Sequence, residues 1–308
     1  MTIPAHILAH LPFFAAVANR LSFTVAAADL KVSQSAVSYQ IRELEKKLGI
    51  RPIVRTPGSN IQLTAAGRTL ADDYSAMDRR LAATLESLAP DRLEGRLTIS
   101  VPVDLGSIVM PHALARLNET APDLEVVLDV SDRMVDMERN AVDLAIRSKP
   151  DSEALVHRLL ARAPKRMVAS AGYLAREGEP ATPEDLKKHC LLLRGQDASP
   201  SWQAFLAAHS MRLSDLPRTR IFSNSFALAE AARAGLGIAL LPAFMVLGAD
   251  MQSLVPLMPS HVAPFEGSFY ISHLPLPQLS RRKQALVDAV ATTLADAPFR
   301  DAFHLPAP

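Results

Sequence analysis

The sequence predicts a small helical head and a larger α/β body joined by one long helix. Three observations predict it. Between residues 8 and 48, apolar residues recur at three- and four-residue steps in three short segments. A proline-free stretch from Thr64 to Leu88 keeps that period throughout. After Gly95, short strand-like runs alternate with helical ones, as in sheets built from parallel strands. The 308 residues exceed one ordinary core and suit two domains, and a composition 49% hydrophobic and 21% charged is that of a globular chain rather than a disordered one. The formal net charge is only +1, yet residues 1–65 hold seven bases against three acids, +4, so the basic charge is concentrated in the head.

The head divides as follows. Leu8, Leu11, Phe14, Val17 and Ala18 share one helical face that ends near Asn19-Arg20. Ser22 is a fitting N-cap for a second helix carrying Val25, Ala26, Ala27 and Leu30, whose small Ala26-Ala27-Ala28 run lets a neighbour approach closely. After a tight Lys31-Val32 connection, Ser33 caps a third helix running to Leu48, closed by Gly49. Ala36, Val37, Ile41, Leu44 and Leu48 form its apolar stripe, and Gln34, Ser35, Ser38, Tyr39 and Arg42 lie opposite. A capped helix with a hydrogen-bonding outer face is what the second member of a helix-turn-helix presents to the major groove. Gln34 suits adenine edges, Ser38 and Tyr39 can reach bases or backbone, and Arg42 suits phosphate or guanine.

The stretch Ser22-Phe23-Thr24, Ala26-Ala27, Leu30, Val32 through Ser38, Gln40-Ile41, Leu44-Glu45 and Leu48-Gly49 resembles the N-terminal signature of the LysR-type transcriptional regulators. The likeness continues in Leu63-Thr64 and Ala66-Gly67, so more than a dozen positions agree over about 45 residues. The resemblance implies an N-terminal winged helix-turn-helix over residues 1–65 that binds double-stranded operator DNA. It brings Ser22, Thr24, Ser33, Ser35, Gln40 and Arg55 into the candidate DNA-binding set beside Gln34, Ser38, Tyr39 and Arg42. One departure matters: after Leu48-Gly49 the family usually has Leu-Phe, then Arg, with a second Arg in the wing. Here Pro52-Ile53, Arg55 and a Pro57-Gly58-Ser59-Asn60 turn stand instead. Loss of one wing arginine predicts weaker non-specific binding and a gentler salt dependence.

From Thr64 to Leu88, Leu70, Tyr74, Met77, Leu81, Leu85 and Leu88 form a narrow apolar stripe on a helix of about 25 residues, roughly 37 Å long. Such a stripe needs a partner, either its own domain or a second copy. The resemblance implies a linker and dimerisation helix over 66–91, with self-association to a dimer or tetramer.

In the body, strands are expected at Leu97–Val101, Glu125–Val130, Val142–Ile146, Lys165–Ser170, Cys190–Leu193, Thr219–Ser223, Gly237–Leu241 and Phe269–Ile271. Helices are expected at Met110–Leu117, Met134–Asn140, Pro183–Lys188, Trp202–Ala208, Phe226–Ala234, Pro242–Gly248 and Arg282–Leu294. The likeness to LysR-type proteins extends here at lower density, through Met110-Pro111, Asp143-Leu144-Ala145-Ile146, Tyr173-Leu174 and Ala234 through Pro242. It implies an effector-binding regulatory domain over 92–302, an α/β two-lobed fold like the type-2 periplasmic binding proteins. Lobe I would take roughly 95–162 and 270–300 and lobe II roughly 163–269, with crossovers near Leu160–Lys165 and Gly267–Ser272.

In open α/β sheets, ligands collect beyond the carboxyl ends of strands, beside helix N-termini. That rule selects Asp104 and Ser107 after the first strand, Ser131 after the second and Arg147 after the third. In the other lobe it selects Arg194 with Asn224, Ser225 and Phe226. Each of these can equally be a cap or a loop group. Arg147 and Arg194 suit a carboxylate; Asp104 suits an amino or hydroxyl group. A small polar effector bearing a carboxylate is expected, and no cofactor.

Other chemistries lack residues to perform them. Gly235-Leu236-Gly237 precedes a strand, whereas a phosphate loop opens a helix after one. Neither a nucleophile elbow nor a P-loop occurs. His6 and His10 stand four apart without an acidic or thiol ligand nearby, so a metal site is not expected. The single cysteine, Cys190, lies in an apolar run and reads as a small buried hydrophobe ahead of a redox sensor. The N-terminus lacks a signal-peptide pattern, and the uncharged run from Ala234 to Ala249 contains Gly235, Gly237 and Pro242 and falls short of a membrane span, so no membrane partner and a cytoplasmic location are expected. RNA polymerase is a further conceivable partner. The alternative function is a solute-binding protein without a DNA role, which the Ser33–Leu48 helix argues against.

Overall fold

The structure, a computed structural model, describes residues 4–55, 61–88, 93–137, 142–150, 152–195, 200–247, 253–262, 265–275 and 279–306. The chain forms two compact units, one within residues 1–86 and one within residues 87–308.

The first unit holds α1 (Ala5–Leu8), α2 (Leu11–Arg20), α3 (Phe23–Asp29), α4 (Gln34–Leu48), a hairpin of β1 (Ile53–Arg55) and β2 (Ile61–Leu63), and the long α5 (Ala65–Leu88). Its core is Phe14 and Val17 of α2, Ala26 and Ala27 of α3, and Val37, Ile41 and Leu44 of α4. The alanines leave α4 room to seat against α3. Between these two helices the chain reverses at Lys31, whose left-handed φ of 54° lets Val32 N–H reach back to the Ala27 carbonyl. Such a residue is uncommon outside glycine and asparagine, and the two hydrogen bonds it allows offset the strain. The wing base is fixed to α5 by Thr64. Its hydroxyl donates to the Arg51 carbonyl at 3.1 Å and accepts from Gly67 N–H at 3.0 Å. Gly67 is required there because a Cβ would stand 2.0 Å from the Pro52 carbonyl oxygen. The hairpin pairs Ile53 with Leu63 and Arg55 with Ile61; the Pro57-Gly58 turn lies outside the described residues.

The second unit is built on one sheet with strand order β4-β3-β5-β11-β6-β9-β7-β8 and β10 beside β6. The strands are β3 (Gly95–Val101), β4 (Leu124–Val130), β5 (Leu144–Arg147), β6 (Val156–Ser170), β7 (Cys190–Arg194), β8 (Arg218–Phe222), β9 (Ile238–Pro242), β10 (Leu254–Leu257) and β11 (Glu266–His273). The helices are α6 (Val103–Ile108), α7 (Met110–Thr120), α8 (Ala171–Glu177), α9 (Pro200–Ala208), α10 (Ser225–Arg233), α11 (Pro259–Val262) and α12 (Arg281–Ala295). β3 is parallel to β4 and β5, and β7 is parallel to β8 and β9, giving two parallel cores. The 15-residue β6 joins them. From Val156 to Pro164 it pairs antiparallel with β11, and from Lys165 onward it pairs with β9 and β10. The strand therefore leaves one lobe and enters the other between Pro164 and Lys165.

Lobe I is closed by α12, whose Leu286, Val287, Val290 and Leu294 join the cluster of Leu97, Ile99 and Ile146. In lobe II, Trp202 and Phe205 of α9 fill the space over Leu191 and Leu193 of β7. Gly237, just before β9, is needed because a Cβ there would meet the Cys190 carbonyl oxygen at 2.3 Å. Cys190 itself is buried.

Several expectations need correction. Met134–Met137, read as the start of a helix, is irregular, and Met134 is exposed; residues 138–140 lie outside the described set. Val103–Ser107, to which no element was assigned, lies in α6, since Pro102 stands where a helix tolerates the missing N–H. Pro183–Lys188 and Ala243–Val246 are 3-10 turns, too short of apolar face to propagate an α-helix. β10, α8 and α11 were not foreseen.

Candidate nucleic-acid interface and interlobe cavity

Helix α4 is positioned by its caps and by its buried face. Ser33 Oγ accepts from Ala36 N–H at 3.1 Å and Ser35 Oγ lies 2.9 Å away, so Ser33 serves the first turn of the helix. Gly49, at a left-handed φ of 69°, ends it, with its N–H on the Glu45 carbonyl. Val37 and Leu44 are wholly buried, which turns Gln34, Ser35, Tyr39 and Arg42 to solvent. Tyr39 is 54% exposed, unusual for so large a ring on a folded domain. Ser38 is half-buried. It lines a cleft of about 350 Å³ with Arg42 and Glu45 of the same helix, Phe23 of α3, and Arg51 and Ile53 at the wing base. Ser22 caps α3, accepting from Val25 N–H at 3.3 Å, and Thr24 is exposed beside it. Arg55 lies on β1.

Gln40 is placed differently from its neighbours. Its Oε1 accepts from His10 Nδ1, while His10 Nε2 accepts from Lys47 Nζ at 2.7 Å, and Lys47 also donates to the His6 carbonyl at 3.1 Å. This network ties α4 back to α1 and α2. Gln40 is thereby engaged inside the head, and the outer face is carried by residues 34, 35, 39 and 42.

In the second unit, a cavity of about 110 Å³ lies between the lobes. Lobe I contributes Asp104, Ser131, Asp132, Arg147 and Ser148, and lobe II contributes Arg194 and Pro242. The crossover strands supply Ala163, Lys165, Gly267 and Ser268. Of the sequence candidates, Asp104, Ser131, Arg147 and Arg194 meet at this cavity. Ser107 is exposed on α6 and is not part of its wall. Asn224 caps α10 through Ala227 N–H at 2.9 Å, and Phe226 packs on the core.

The polar groups are largely satisfied within the protein. Arg147 donates to Ser100 Oγ and to its neighbour's carbonyl, Ile146, both at 2.7 Å, and to the Arg133 carbonyl at 3.3 Å. Asp104, 3% exposed, accepts from Leu105 N–H at 2.8 Å and from Ser225 Oγ at 3.1 Å. Arg194 pairs with Asp132 at 3.0 Å. Two of these contacts, Ser225 to Asp104 and Arg194 to Asp132, run from one lobe to the other. A carboxylate contact by Arg147 or Arg194 therefore requires an existing partner to be exchanged. Lys165 was not among the candidates; burial pulls its pKa from 10.5 down to about 8, with nearby Arg194 acting in the same direction and Asp104 against it. Nothing in the sequence singles it out, since Arg162 and Arg166 stand beside it.

Two regions of the chain match known sequence profiles. Residues 8–68 match the bacterial regulatory helix-turn-helix of the lysR family, and residues 90–295 match the LysR substrate binding domain. The chain belongs to the LysR family. Among LysR-family relatives, it is 32% identical over 270 residues to a glycine cleavage system transcriptional activator homolog of Haemophilus influenzae, covering 86% of this chain and 87% of the relative. It is 33% identical to the transcriptional activator AmpR of Pseudomonas aeruginosa, covering 77% and 80%. The fold is shared with a full-length OxyR variant from Pseudomonas aeruginosa, at 18% identity and TM-score 0.67 over 100% of both chains. It is also shared with full-length LysG from Corynebacterium glutamicum, solved with bound effector arginine, at 22% identity and TM-score 0.59 over 92% of this chain and 98% of that one. This LysR-family chain is thus a DNA-binding transcriptional regulator whose second unit is an effector-binding domain, with the fold class that the sequence predicts. No described helix is long and apolar enough to cross a membrane.

Proposed function

We propose that α4 is the operator-reading helix of this regulator, and that a small molecule held in the interlobe cavity sets its activity. The observation that carries the reading is the division of α4 into a fully packed apolar side and an exposed side of Gln34, Ser35, Tyr39 and Arg42 behind a capped N-terminus. Gln34 reads an adenine edge, Arg42 and Arg55 hold phosphate or guanine, and the N-termini at Ser22 and Ser33 face the backbone. Ser38 and Thr24 complete the contact, and Gln40 supports it from behind through His10.

The domain division follows the same reading: residues 1–65 bind DNA, 66–91 dimerise and 92–302 sense the effector, with the lobes divided at the crossover strands. The α5 stripe supports self-association, because Leu70 and Tyr74 pack on the head core while Leu81 and Leu85 stand 56% and 59% exposed. A second copy covers them, which brings two heads to two half-sites. Two such dimers give the tetramer. The protein works in the cytoplasm as a regulator without catalytic activity, and RNA polymerase is its partner where it activates. The effector acts by binding one lobe arrangement better than the other, typically by about 1–3 kcal/mol.

A gel shift with the DNA upstream of the chain's own gene and its neighbours tests the reading. The full-length protein is expected to retard a discrete fragment against excess non-specific duplex. Equal retardation of every fragment would contradict operator reading by α4, and retardation of none would leave the solute-binding alternative standing.

A further inference from the structure

We propose that the interlobe cavity binds a small monocarboxylate bearing a hydroxyl, with its carboxylate anchored on Lys165. This rests on the reading of the second unit as an effector sensor and deepens it by naming the ligand class and the anchoring residue.

Three observations lead there. The first is position. Lys165 is the residue at which β6 changes partner, from Pro164 beside Glu266 to Lys165 beside Pro242. Ligands of open α/β sheets lie at such switch points. The second is an unmet charge. The other cavity ions are engaged, Arg147 by Ser100 and carbonyls, Arg194 by Asp132, and Asp104 by Ser225 and Leu105 N–H. Lys165 Nζ makes no hydrogen bond or ion pair with any described residue, although its side chain is half-buried in the cavity wall and burial lowers its pKa. An ammonium withdrawn from water is normally paired, so the cavity that this one lines suits an anion. Gly267 on β11 keeps that space open, since a Cβ there would already lie 3.3 Å from Nζ.

The third observation is size and balance. About 110 Å³ is the share of roughly four water molecules, which fits a ligand of roughly four to seven non-hydrogen atoms. Arg147, Lys165 and Arg194 against Asp104 and Asp132 give the wall a net charge of +1. One carboxylate neutralises it; a dicarboxylate overshoots and a zwitterion leaves it uncompensated. The two aspartates and the hydroxyls of Ser131 and Ser268 supply acceptors for a ligand hydroxyl.

The test is calorimetric titration of the full-length protein with glycolate at pH 7, with glycine, succinate and ethylene glycol as competing chemistries. Glycolate is expected to bind at least tenfold more tightly than each of the other three. Lys165→Met is expected to lose at least tenfold in glycolate affinity and Lys165→Arg to keep most of it. Lys165→Met is also expected to raise the melting temperature in the absence of ligand, which shows that it folds. Glycolate binding no tighter than that of ethylene glycol, a preference for glycine or succinate, or unchanged affinity in Lys165→Met would each overturn the proposal. The wild-type preparation is run in parallel on operator DNA: retardation without glycolate binding removes the ligand assignment alone, whereas loss of both removes the regulator reading beneath it.

Discussion

At the residue scale, the account rests on side chains whose partners define their roles. Ser33 Oγ satisfies one of the free N–H groups at the start of α4. Ser33→Ala is expected to cost the head about 0.5–2 kcal/mol in chemical denaturation, the range for loss of a cap. Lys165 gives a pH dependence whose sign follows from its direction of shift. Its pKa is lowered from 10.5 to about 8 in the fold, so above pH 8 the folded chain gives up this proton while the unfolded chain keeps it. The penalty of the buried charge therefore fades as pH rises from about 8 to 10.5, and this group contributes increasing stability across that window. Carboxylate affinity moves the other way. It is expected to be flat below pH 7.5 and to fall about tenfold per unit above 8, with Lys165→Arg flat throughout. The charges that face it are Asp104 of α6, Asp132 after β4, Arg147 of β5 and Arg194 of β7. A titration series in matched ionic strength reads the effect. The sequence told these residues apart unevenly. Ser33 was legible because capping is local chemistry, while the engagement of Gln40 with His10, 30 positions away, is not encoded in any nearby residue.

At the element scale, periodicity carried most of the information. The stripes of α2, α4 and α5 and the runs of β3, β7 and β9 were visible because each buries one consistent face. Residues 134–137 differ because Val135 and Met137 pack on Val142 and Ala145 without helical backbone, while Met134 is 63% exposed. The 3-10 turns and the half-exposed β10 gave no periodic signal to read. Helix α5 divides along its length, its first turns packed on the head core and its later leucines bare. Leu81→Glu with Leu85→Glu is therefore expected to leave the helical content unchanged while shifting sedimentation toward the monomer. An unaltered assembly would show that another surface joins the copies. The sheet has its own fixed point at Lys283 of α12, 4% exposed, whose ammonium lies 3.1 Å from Asp143, which in turn accepts from Thr98 N–H at 2.9 Å. Lys283→Ala leaves Asp143 without that cation and is expected to destabilise the second unit by about 3–5 kcal/mol, read as an earlier unfolding transition.

At the scale of the whole molecule, the two units were legible as a change of period near Gly95, and each carries a different part of the function. The exposed face of α4 was legible in the sequence because one helix presents it in order. The cavity was found only in part. Its wall joins α6, β5, β6, β7 and β11, residues up to about 165 positions apart in the chain, so strand ends could be named but not their pairings. Arg147 and Arg194 looked like free anion hooks until Ser100 and Asp132 were seen beside them, and Lys165 became visible only once β6 was known to change partner from β11 to β9. The central claim, that the exposed side of α4 reads DNA, is tested most directly by fluorescence anisotropy with one retarded operator fragment, comparing wild type with Gln34→Ala. The account predicts a loss of about 1–3 kcal/mol in specific affinity, roughly 5- to 150-fold, with non-specific binding and thermal stability unchanged. Equal specific affinity for the two proteins, or an equal loss on specific and random duplex, would contradict it.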